Sequence, residues 1–273
     1  MAGPRLLVFD LDGTLLDSEH QLRTGVSERL AALRRLGVET TLATGRCIAA
    51  AAPFVERLDL QLPVILFNGA VIASAAGEVR FEARVDRRVA RDALVLAKAY
   101  PVDPQLYLEP ADPFFYAAAR TPAVAAFSRK DGIPPRIVGD LVARLDEART
   151  DPLKLLLIGP RPALLALRDR FLQAHPEPEC VLSEGDFLEI LPPGVSKGAA
   201  LVRLCRDLDM PLGDVVAFGD NLNDREMLQI AGDGVAMGTA PQVMREEADH
   251  VVDDLPAFLS MLAGRLTRQG VQA

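Results

Sequence analysis

The feature that most constrains this chain is an apolar run, Leu6 to Phe9, that ends in the acids Asp10 and Asp12. A short continuous apolar run followed by polar residues is typical of a parallel strand buried on both faces. Side chains at positions i and i+2 of an extended segment point the same way, so both carboxylates leave the strand end side by side. They repel each other unless a cation lies between them or one keeps a proton. The pair therefore predicts a functional site, and an ordinary acidic turn closed by Gly13 is the alternative.

Further strands and helices alternate along both ends of the chain. Strands are predicted at 38–43, 63–67, 215–218 and 234–237, and helices at 27–36, 48–58, 197–208 and 224–231. Strands that alternate with helices predict an open parallel sheet covered by helices, with the site at the carboxyl edge of the sheet.

The middle of the chain has a different pattern. Strands are predicted at 105–108, 114–118, 153–158, 179–182 and 187–191, and helices at 85–100, 137–148 and 163–174. Strands that follow each other directly favour an antiparallel α+β module. We therefore predict a doubly wound, Rossmann-like α/β core built from residues 1–83 and 189–273, with an inserted α/β cap domain at 84–188.

Composition narrows the classes of function. The formal net charge of −8 disfavours nucleic acid as a partner. The scattered residues Cys47, Cys180 and Cys205 provide neither a disulfide framework nor the spacing of a metal site. The first residues do not resemble a signal peptide, and no apolar run reaches the ~20 residues of a membrane span. We therefore expect a cytoplasmic protein with reduced cysteines and no membrane partner.

A second cluster of polar residues follows the predicted strand at 215–218. The segment Gly219-Asp220-Asn221-Leu222-Asn223-Asp224 offers carboxyl and amide oxygens, which together with Asp10 make an all-oxygen cage. Mg²⁺ prefers oxygen ligands and keeps several waters, so the cluster predicts a magnesium site. Taken alone, the hexapeptide is equally consistent with a helix cap and a turn.

Two further elements have the chemistry of an anion site. Thr44-Gly45-Arg46 lies between a predicted strand and a predicted helix, where a hydroxyl and backbone N–H groups bind anions. Lys197 begins a predicted helix, where its charge opposes the helix dipole and suggests a bound anion. Each alone is common, as a strand–helix turn or a solvated lysine. Together with the two acidic clusters, they supply what phosphoryl transfer through an aspartate requires.

The motifs resemble those of the haloacid dehalogenase superfamily, specifically its Cof-type phosphatases with a large inserted cap. Four segments are similar to the four family motifs in order: Phe9-Asp10-Leu11-Asp12-Gly13-Thr14, Thr44-Gly45-Arg46, Lys197, and Gly219 to Asp224. Asn68-Gly69-Ala70, Pro193 to Gly198 and Val235 to Gly238 also match typical stretches. The chain departs from the family at Thr239, where Asn is common, and at Val252 to Pro256, in place of the usual Gly-Val ending.

The resemblance implies a role for each of these residues. Asp10 is expected to be the nucleophile and a Mg²⁺ ligand. Asp12 is expected to act as general acid and then general base, and to lend its backbone carbonyl to the metal. Asp220 would be the second carboxylate ligand, with Asp224 supporting the metal or its waters. The phosphoryl oxygens would be held by Thr44, the backbone amides of Leu11 and Gly45, Lys197 and Asn223.

The expected function is therefore Mg²⁺-dependent hydrolysis of a small phosphate monoester, such as a sugar phosphate, through an aspartyl-phosphate. A phosphosugar mutase would use the same acids but return the phosphoryl group to the product. A non-catalytic phosphate-binding protein would lack a motif residue, and none is lost. Cap residues set specificity in this family; Tyr107, Glu109, Phe115 and Tyr116 are candidates, although packing in the cap sheet explains them equally well. A monomer and a dimer are both compatible with the sequence.

Overall fold

The computed structural model describes residues 3–270, apart from the side chains of Glu184 and Gln269. Its strands, in chain order, are β1 (Leu6–Phe9), β2 (Glu39–Leu42), β3 (Val64–Leu66), β4 (Val71–Ala73), β5 (Val79–Glu82), β6 (Asp103–Tyr107), β7 (Phe115–Ala117), β8 (Pro135–Ile137), β9 (Lys154–Ile158), β10 (Glu179–Glu184), β11 (Phe187–Leu191), β12 (Val215–Gly219), β13 (Asp233–Met237) and β14 (His250–Val252). Its helices are α1 (Val26–Arg35), α2 (Ile48–Arg57), α3 (Arg87–Ala97), α4 (Pro122–Asp131), α5 (Leu141–Asp146), α6 (Arg161–Ala174), α7 (Lys197–Asp207), α8 (Arg225–Ile230), α9 (Gln242–Glu247) and α10 (Leu255–Gly270).

A parallel sheet with strand order β14-β13-β12-β1-β2 forms the core. The central strand β1 is fully buried, and its side chains alternate between two apolar layers. Leu7 packs in the layer that contains Leu33 of α1, whereas Leu6 packs in the layer that contains Leu204 of α7. Burial on both faces explains why the run Leu6–Phe9 is apolar throughout. The predicted doubly wound parallel core is confirmed.

A three-stranded antiparallel sheet continues the core sheet beyond β2; its first strand was predicted at 63–67, whereas β4 and β5 were not predicted. Its strand order is β3-β4-β5, and a parallel bridge between Ala43 and Ile65 joins it to the core. The turn between β3 and β4 contains Gly69, which has a φ of +104°. A Cβ at this position would lie 2.2 Å from the carbonyl oxygen of Ser196, so the close approach to the start of α7 requires glycine.

The cap is a mainly antiparallel sheet with strand order β10-β11-β9-β6-β7-β8, in which only β7 and β8 pair in parallel among the described strands. Helices α3, α5 and α6 share one apolar cluster with it. Helix α4 packs in the other cluster, which continues into the core. This arrangement confirms the predicted α/β cap. The limits 84–188 stay a prediction: β11 crosses the second of them, and the outer ends of the core segments at 1 and 273 lie outside the described residues.

Residues 119–148 differ from the predicted pattern. The predicted helix at 137–148 is wrong at its start, because 135–137 form β8 and α5 begins only after the cap residue Asp140. Helix α4 was not predicted, although its boundaries carry clear signals. The Thr121 hydroxyl accepts a hydrogen bond from the Val124 amide, Pro122 occupies the first turn, and Gly132 ends the helix with a φ of +71°. Alanines on several sides of α4 weaken its apolar periodicity and conceal it.

The cap contacts the core through a buried lysine. Lys154, at the start of β9, donates hydrogen bonds to the Glu189 carboxylate at 2.7 Å and to the Gly45 carbonyl oxygen at 2.8 Å. Its side chain and that of Glu189 are 5% and 4% exposed. Because both charges are removed from water, each depends on the other for compensation. The three cysteines are free, and within residues 3–270 no helix has the length and apolarity needed to cross a bilayer.

We expect Lys154→Met to lower the free energy of unfolding by about 3–5 kcal/mol, because it leaves the Glu189 carboxylate buried without a partner. The double variant Lys154→Met/Glu189→Gln should recover part of this loss. Urea unfolding measures all three, and Lys98→Met is the control. Lys98 contacts Asp140 at 3.2 Å on the exposed surface, so its loss should stay within about 0.5 kcal/mol. Additive losses in the double variant would contradict the proposed dependence.

Candidate active site

The predicted site residues gather at the carboxyl edge of the core sheet, where a cavity of about 570 Å³ lies between core and cap. This volume is in the range of about 300–1,000 Å³ that small-molecule sites occupy. Six predicted residues line the cavity: Asp10, Asp12, Thr44, Gly45, Asp220 and Asn223. Lys197 and Asp224 are buried behind Asp10, and the Leu11 side chain is buried beside it.

A buried ammonium group holds the predicted nucleophile. Lys197 donates hydrogen bonds to the Asp10 carboxylate at 2.6 Å and to the Asp224 carboxylate at 2.5 Å. It is the first residue of α7, and the Ser196 hydroxyl caps that helix by accepting from the Ala199 amide. Burial alone would lower the pKa of Lys197, but the two carboxylates outweigh it and raise that pKa. The lysine is therefore a fixed positive charge beneath the cavity.

Several carboxylates are crowded at the ends of β1 and β12. Ligand atoms of Asp10, Asp220 and Asp224 all lie within 4.8 Å of one another. Burial, with the neighbouring carboxylate of Asp224, raises the pKa of Asp220 to about 7, and burial also raises the pKa of Asp10 well above its ordinary value. Gly13 permits this crowding: it has a φ of +81°, and a Cβ there would lie 2.1 Å from Asp220 Oδ2.

The acidic cluster fits a divalent cation. Its ligand atoms are all oxygens, which suits Mg²⁺. The pKa values of Asp10 and Asp220 are raised because the nearby positive charge does not balance burial and the neighbouring carboxylates, and a bound cation would supply that charge. Both oxygens of Asp224 are already engaged, one by Lys197 and the other by the backbone amides of Asp220 and Asn221. Asp10 and Asp220 are therefore better placed than Asp224 to bind a metal directly.

Asp12 has a partner that sequence reasoning missed. The Arg46 guanidinium donates two hydrogen bonds to its carboxylate, at 2.8 and 2.7 Å. Burial would raise the pKa of Asp12, but the hydrogen bonds and charge of Arg46 outweigh it and lower that pKa. His20 Nδ1 lies 3.5 Å from the same carboxylate. The spacing of Asp12, His20 and Arg46 in the sequence does not indicate that their side chains come into contact.

Hydrogen bonds from several residues fix Thr44-Gly45-Arg46, the predicted anion loop. The Thr44 hydroxyl accepts a hydrogen bond from the Arg46 amide at 3.2 Å, and the Thr44 carbonyl oxygen accepts one from the Asn68 amide. Asn223 donates to Asn68 Oδ1 at 3.0 Å. Among the described residues, the buried Asn68 Nδ2 has no hydrogen-bond partner, and it lies 3.1 Å from where a Gly45 Cβ would be. Asn68 thus lies directly behind the Gly45 turn, with a donor that the described residues leave unused.

The cap wall of the cavity differs from the sequence candidates. Tyr107, Phe115 and Tyr116 are buried in packing clusters, Glu109 is exposed, and none of them lines the described cavity. Packing in the cap therefore accounts for the aromatic candidates. The cap residues that line the cavity are Phe127, Lys130, Asp131, Lys154, Leu156, Ser183, Phe187 and Glu189. Of the two departures noted in the sequence, Thr239 lines the cavity, and Asp253 packs against Gly238.

Comparisons of sequence and of fold both relate this chain to hydrolases. The sequence pattern of haloacid dehalogenase-like hydrolases matches residues 7–255. The HMP-PP phosphatase of Cronobacter sakazakii is 33% identical over 244 residues, covering 89% of this chain and 87% of that protein. A haloacid dehalogenase-like hydrolase from B. subtilis has a TM-score of 0.82 at 27% identity, covering 94% of this chain and 98% of the other. A further one from Bacteroides thetaiotaomicron shares the fold, with a TM-score of 0.84 at 24% identity over 95% and 99% of the two chains.

We expect Mg²⁺ to raise the thermal midpoint of unfolding, and to do so more near pH 8 than near pH 5.5. Protons on Asp10 and Asp220 stabilise the metal-free fold at low pH because both folded-state pKa values are raised. That stability is lost as the pH rises through the folded pKa, about 7 for Asp220. A bound cation replaces these protons, and at a free concentration of 100 times its Kd it adds about 2.7 kcal/mol to the free energy of unfolding.

Differential scanning fluorimetry with Mg²⁺ or a chelator measures this effect. Asp220→Asn should lose most of it, whereas Asp207→Asn, a change on the exposed end of α7, should keep it. Equal shifts in both variants, or a larger shift at the lower pH, would contradict a cation on Asp10 and Asp220.

Proposed function

The chain belongs to the haloacid dehalogenase-like hydrolases, and we propose that it is a Mg²⁺-dependent phosphatase that hydrolyses a small phosphate monoester through a phosphoryl group on Asp10. The observation that carries the proposal is the contact of the buried Lys197 ammonium with the Asp10 carboxylate at 2.6 Å, at the floor of a cavity that Asp12 also lines. The contact orients a carboxylate toward the ligand and supplies a positive charge beside the position of the phosphoryl group.

Formation of the phospho-enzyme assigns different tasks to the two acids. Lys197 occupies Asp10 Oδ1, so the other carboxylate oxygen attacks phosphorus and forms the new P–O bond. The bond to the leaving alkoxide breaks, and Asp12, when it carries a proton, protonates that oxygen. The Thr44 hydroxyl, the amides of the anion loop and Lys197 oppose the charge that spreads over the phosphoryl oxygens.

Hydrolysis of the phospho-enzyme uses Asp12 in its ionised form. Asp12 removes a proton from water, the water oxygen attacks phosphorus, and the bond to Asp10 breaks to release inorganic phosphate. Arg46 supports this step, since it holds the Asp12 carboxylate in place and lowers its pKa. Mg²⁺ on Asp10, Asp220 and the Asp12 backbone carbonyl, supported by Asp224, would neutralise part of the charge on the phosphoryl group.

The relatives provide the first substrate to test. HMP-PP phosphatase is the activity of the Cronobacter sakazakii protein, which is 33% identical to this chain, so HMP-PP heads the list of compounds, followed by sugar phosphates. Purified protein should release inorganic phosphate from at least one of them with Mg²⁺ and not with excess chelator. Asp10→Asn, prepared in parallel, controls for contaminating phosphatase. Full activity in chelator, or equal activity of Asp10→Asn, would overturn the proposal.

Asp10→Asn and Asp12→Asn should fail at different steps. Asp10→Asn replaces the nucleophilic carboxylate with a neutral amide, so no phospho-enzyme should form. Asp12→Asn loses proton transfer, which is typically worth about 10²–10⁴-fold. An ester with a good leaving group, such as p-nitrophenyl phosphate, needs little protonation, so this variant should still become phosphorylated and should hydrolyse slowly.

Mass spectrometry of acid-quenched protein measures the trapped intermediate. Asp12→Asn should carry one phosphoryl group on the peptide that contains Asp10, and Asp10→Asn should carry none. A label on another residue, or the same amount of label in both variants, would show that the two roles are assigned wrongly.

A further inference from the structure

One acid of the cavity has no hydrogen-bond partner among the described residues. Asp131, the last residue of α4, lines the cavity, and no described side chain or backbone amide donates a hydrogen bond to its carboxylate. It is a different residue from Asp10 and Asp12, the acids assigned to the chemistry, and belongs to the cap. A carboxylate in such a place is available to the ligand.

The positive charges near Asp131 already have other partners. Arg46 is bound to Asp12 by two hydrogen bonds, and Lys154 is bound to Glu189 at 2.7 Å. Lys130, the preceding residue, lies over the Phe187 ring with its Nζ 4.9 Å from the ring centroid. Burial raises the pKa of Asp131 to about 6, which leaves it ionised at neutral pH. The cap therefore presents a negative charge that no hydrogen bond or salt bridge from residues 3–270 compensates.

The cavity that Asp131 lines also has an apolar part. Phe127, Leu156 and Phe187 line the same cavity, and the rings of Phe127 and Phe187 are 5.7 Å apart at an angle of 64°. Phe127 and Asp131 are four residues apart on α4 and so share one side of the helix. The helix thus places an aromatic surface and a carboxylate next to each other, opposite the core residues of the predicted phosphate site.

We propose that Asp131 is a specificity-determining residue, which pairs with a positively charged nitrogen group carried on an aromatic or apolar leaving group of the substrate. This inference rests on the proposed phosphatase activity and names the chemical class of its substrate. A substrate that fills the cavity displaces water from Asp131, and an unpaired buried carboxylate is costly. An ammonium or other cationic N–H donor cancels the charge and forms a strong hydrogen bond, whereas a hydroxyl group leaves the charge in place.

Three benzyl phosphate esters that differ only in the substituent at position 4 of the ring test the inference: benzyl phosphate, 4-(hydroxymethyl)benzyl phosphate and 4-(aminomethyl)benzyl phosphate. The wild-type protein should show a kcat/KM at least about tenfold higher for the aminomethyl ester than for benzyl phosphate, as one new charge-assisted hydrogen bond allows. Asp131→Asn keeps the size of the side chain but not its charge. In this variant the ratio between the two esters should fall to about one.

Asp92→Asn is the matched control in the cap. Asp92 lies on α3 and contacts His175 Nε2 at 3.0 Å, away from the described lining of the cavity, so this variant should keep the wild-type ratio. An unchanged ratio in Asp131→Asn would overturn the inference. Equal proportional losses on all three esters would also overturn it, because Asp131 would then act on the phosphate or the benzyl group that the esters share and not on the cation. A wild-type preference for the hydroxymethyl ester would overturn the assignment of a cation.

A binding measurement separates this inference from the proposed activity. Isothermal titration of the same esters into Asp10→Asn and into Asp10→Asn/Asp131→Asn gives the ratio of dissociation constants without turnover. If no ester releases phosphate from the wild-type protein but binding of the aminomethyl ester depends on Asp131, hydrolysis is refuted for these esters and the inference stands. If the two variants bind the aminomethyl ester equally well, the inference fails whatever the activity.

Discussion

The site depends on one buried ammonium group between two carboxylates. Lys197 binds Asp10 at the end of β1 and Asp224 after β12, and its own position follows from the start of α7. Without that charge, three acids within 4.8 Å would repel each other at the edge of a sheet whose interior is apolar. The rings of Phe9 and Phe218 stack with centroids 4.3 Å apart; Phe9 directly precedes Asp10, and Phe218 precedes Asp220 by two residues. The acids therefore extend from strand ends whose aromatic side chains are fully buried.

Chain topology brings the two halves of the cavity together. The core contributes the residues that follow β1, β2 and β12, while the cap contributes α4 and one face of β9 and β11. Lys154 joins the halves through its charge, since it binds both Glu189 on the cap strand β11 and the Gly45 carbonyl oxygen in the core, and Asn221 adds a hydrogen bond to the Ser183 carbonyl oxygen of β10. The cap is thereby attached to the loop that is predicted to hold the phosphoryl group.

Residues that act at strand ends could be predicted from sequence, and partners across the fold could not. Parallel strands present their carboxyl ends at the same edge, so Asp10, Thr44 and Asp220 had to lie near one another once the strands were recognised. The pairing of Arg46 with Asp12 spans 34 positions, and that of Lys154 with Gly45 spans 109, so no local pattern reveals either contact. Tyr107 shows a choice that the sequence left open: a ligand contact and packing explained this aromatic residue equally well, and in the structure its ring packs between Phe67 and Phe115.

The separate origin of the two cavity walls has a consequence for how such a protein diverges. The nucleophile and its lysine are fixed by the core strands and by α7, while α4 reaches the cavity from the far side through residues at its C-terminal end. Phe127 is constrained, because its ring packs against Phe115 and Phe187 in the cluster that continues into the core. Positions 130 and 131 carry charges at the end of the ten-residue α4, so a change there alters the surface that meets the variable part of a ligand without changing the elements that hold Lys197 and Asp10.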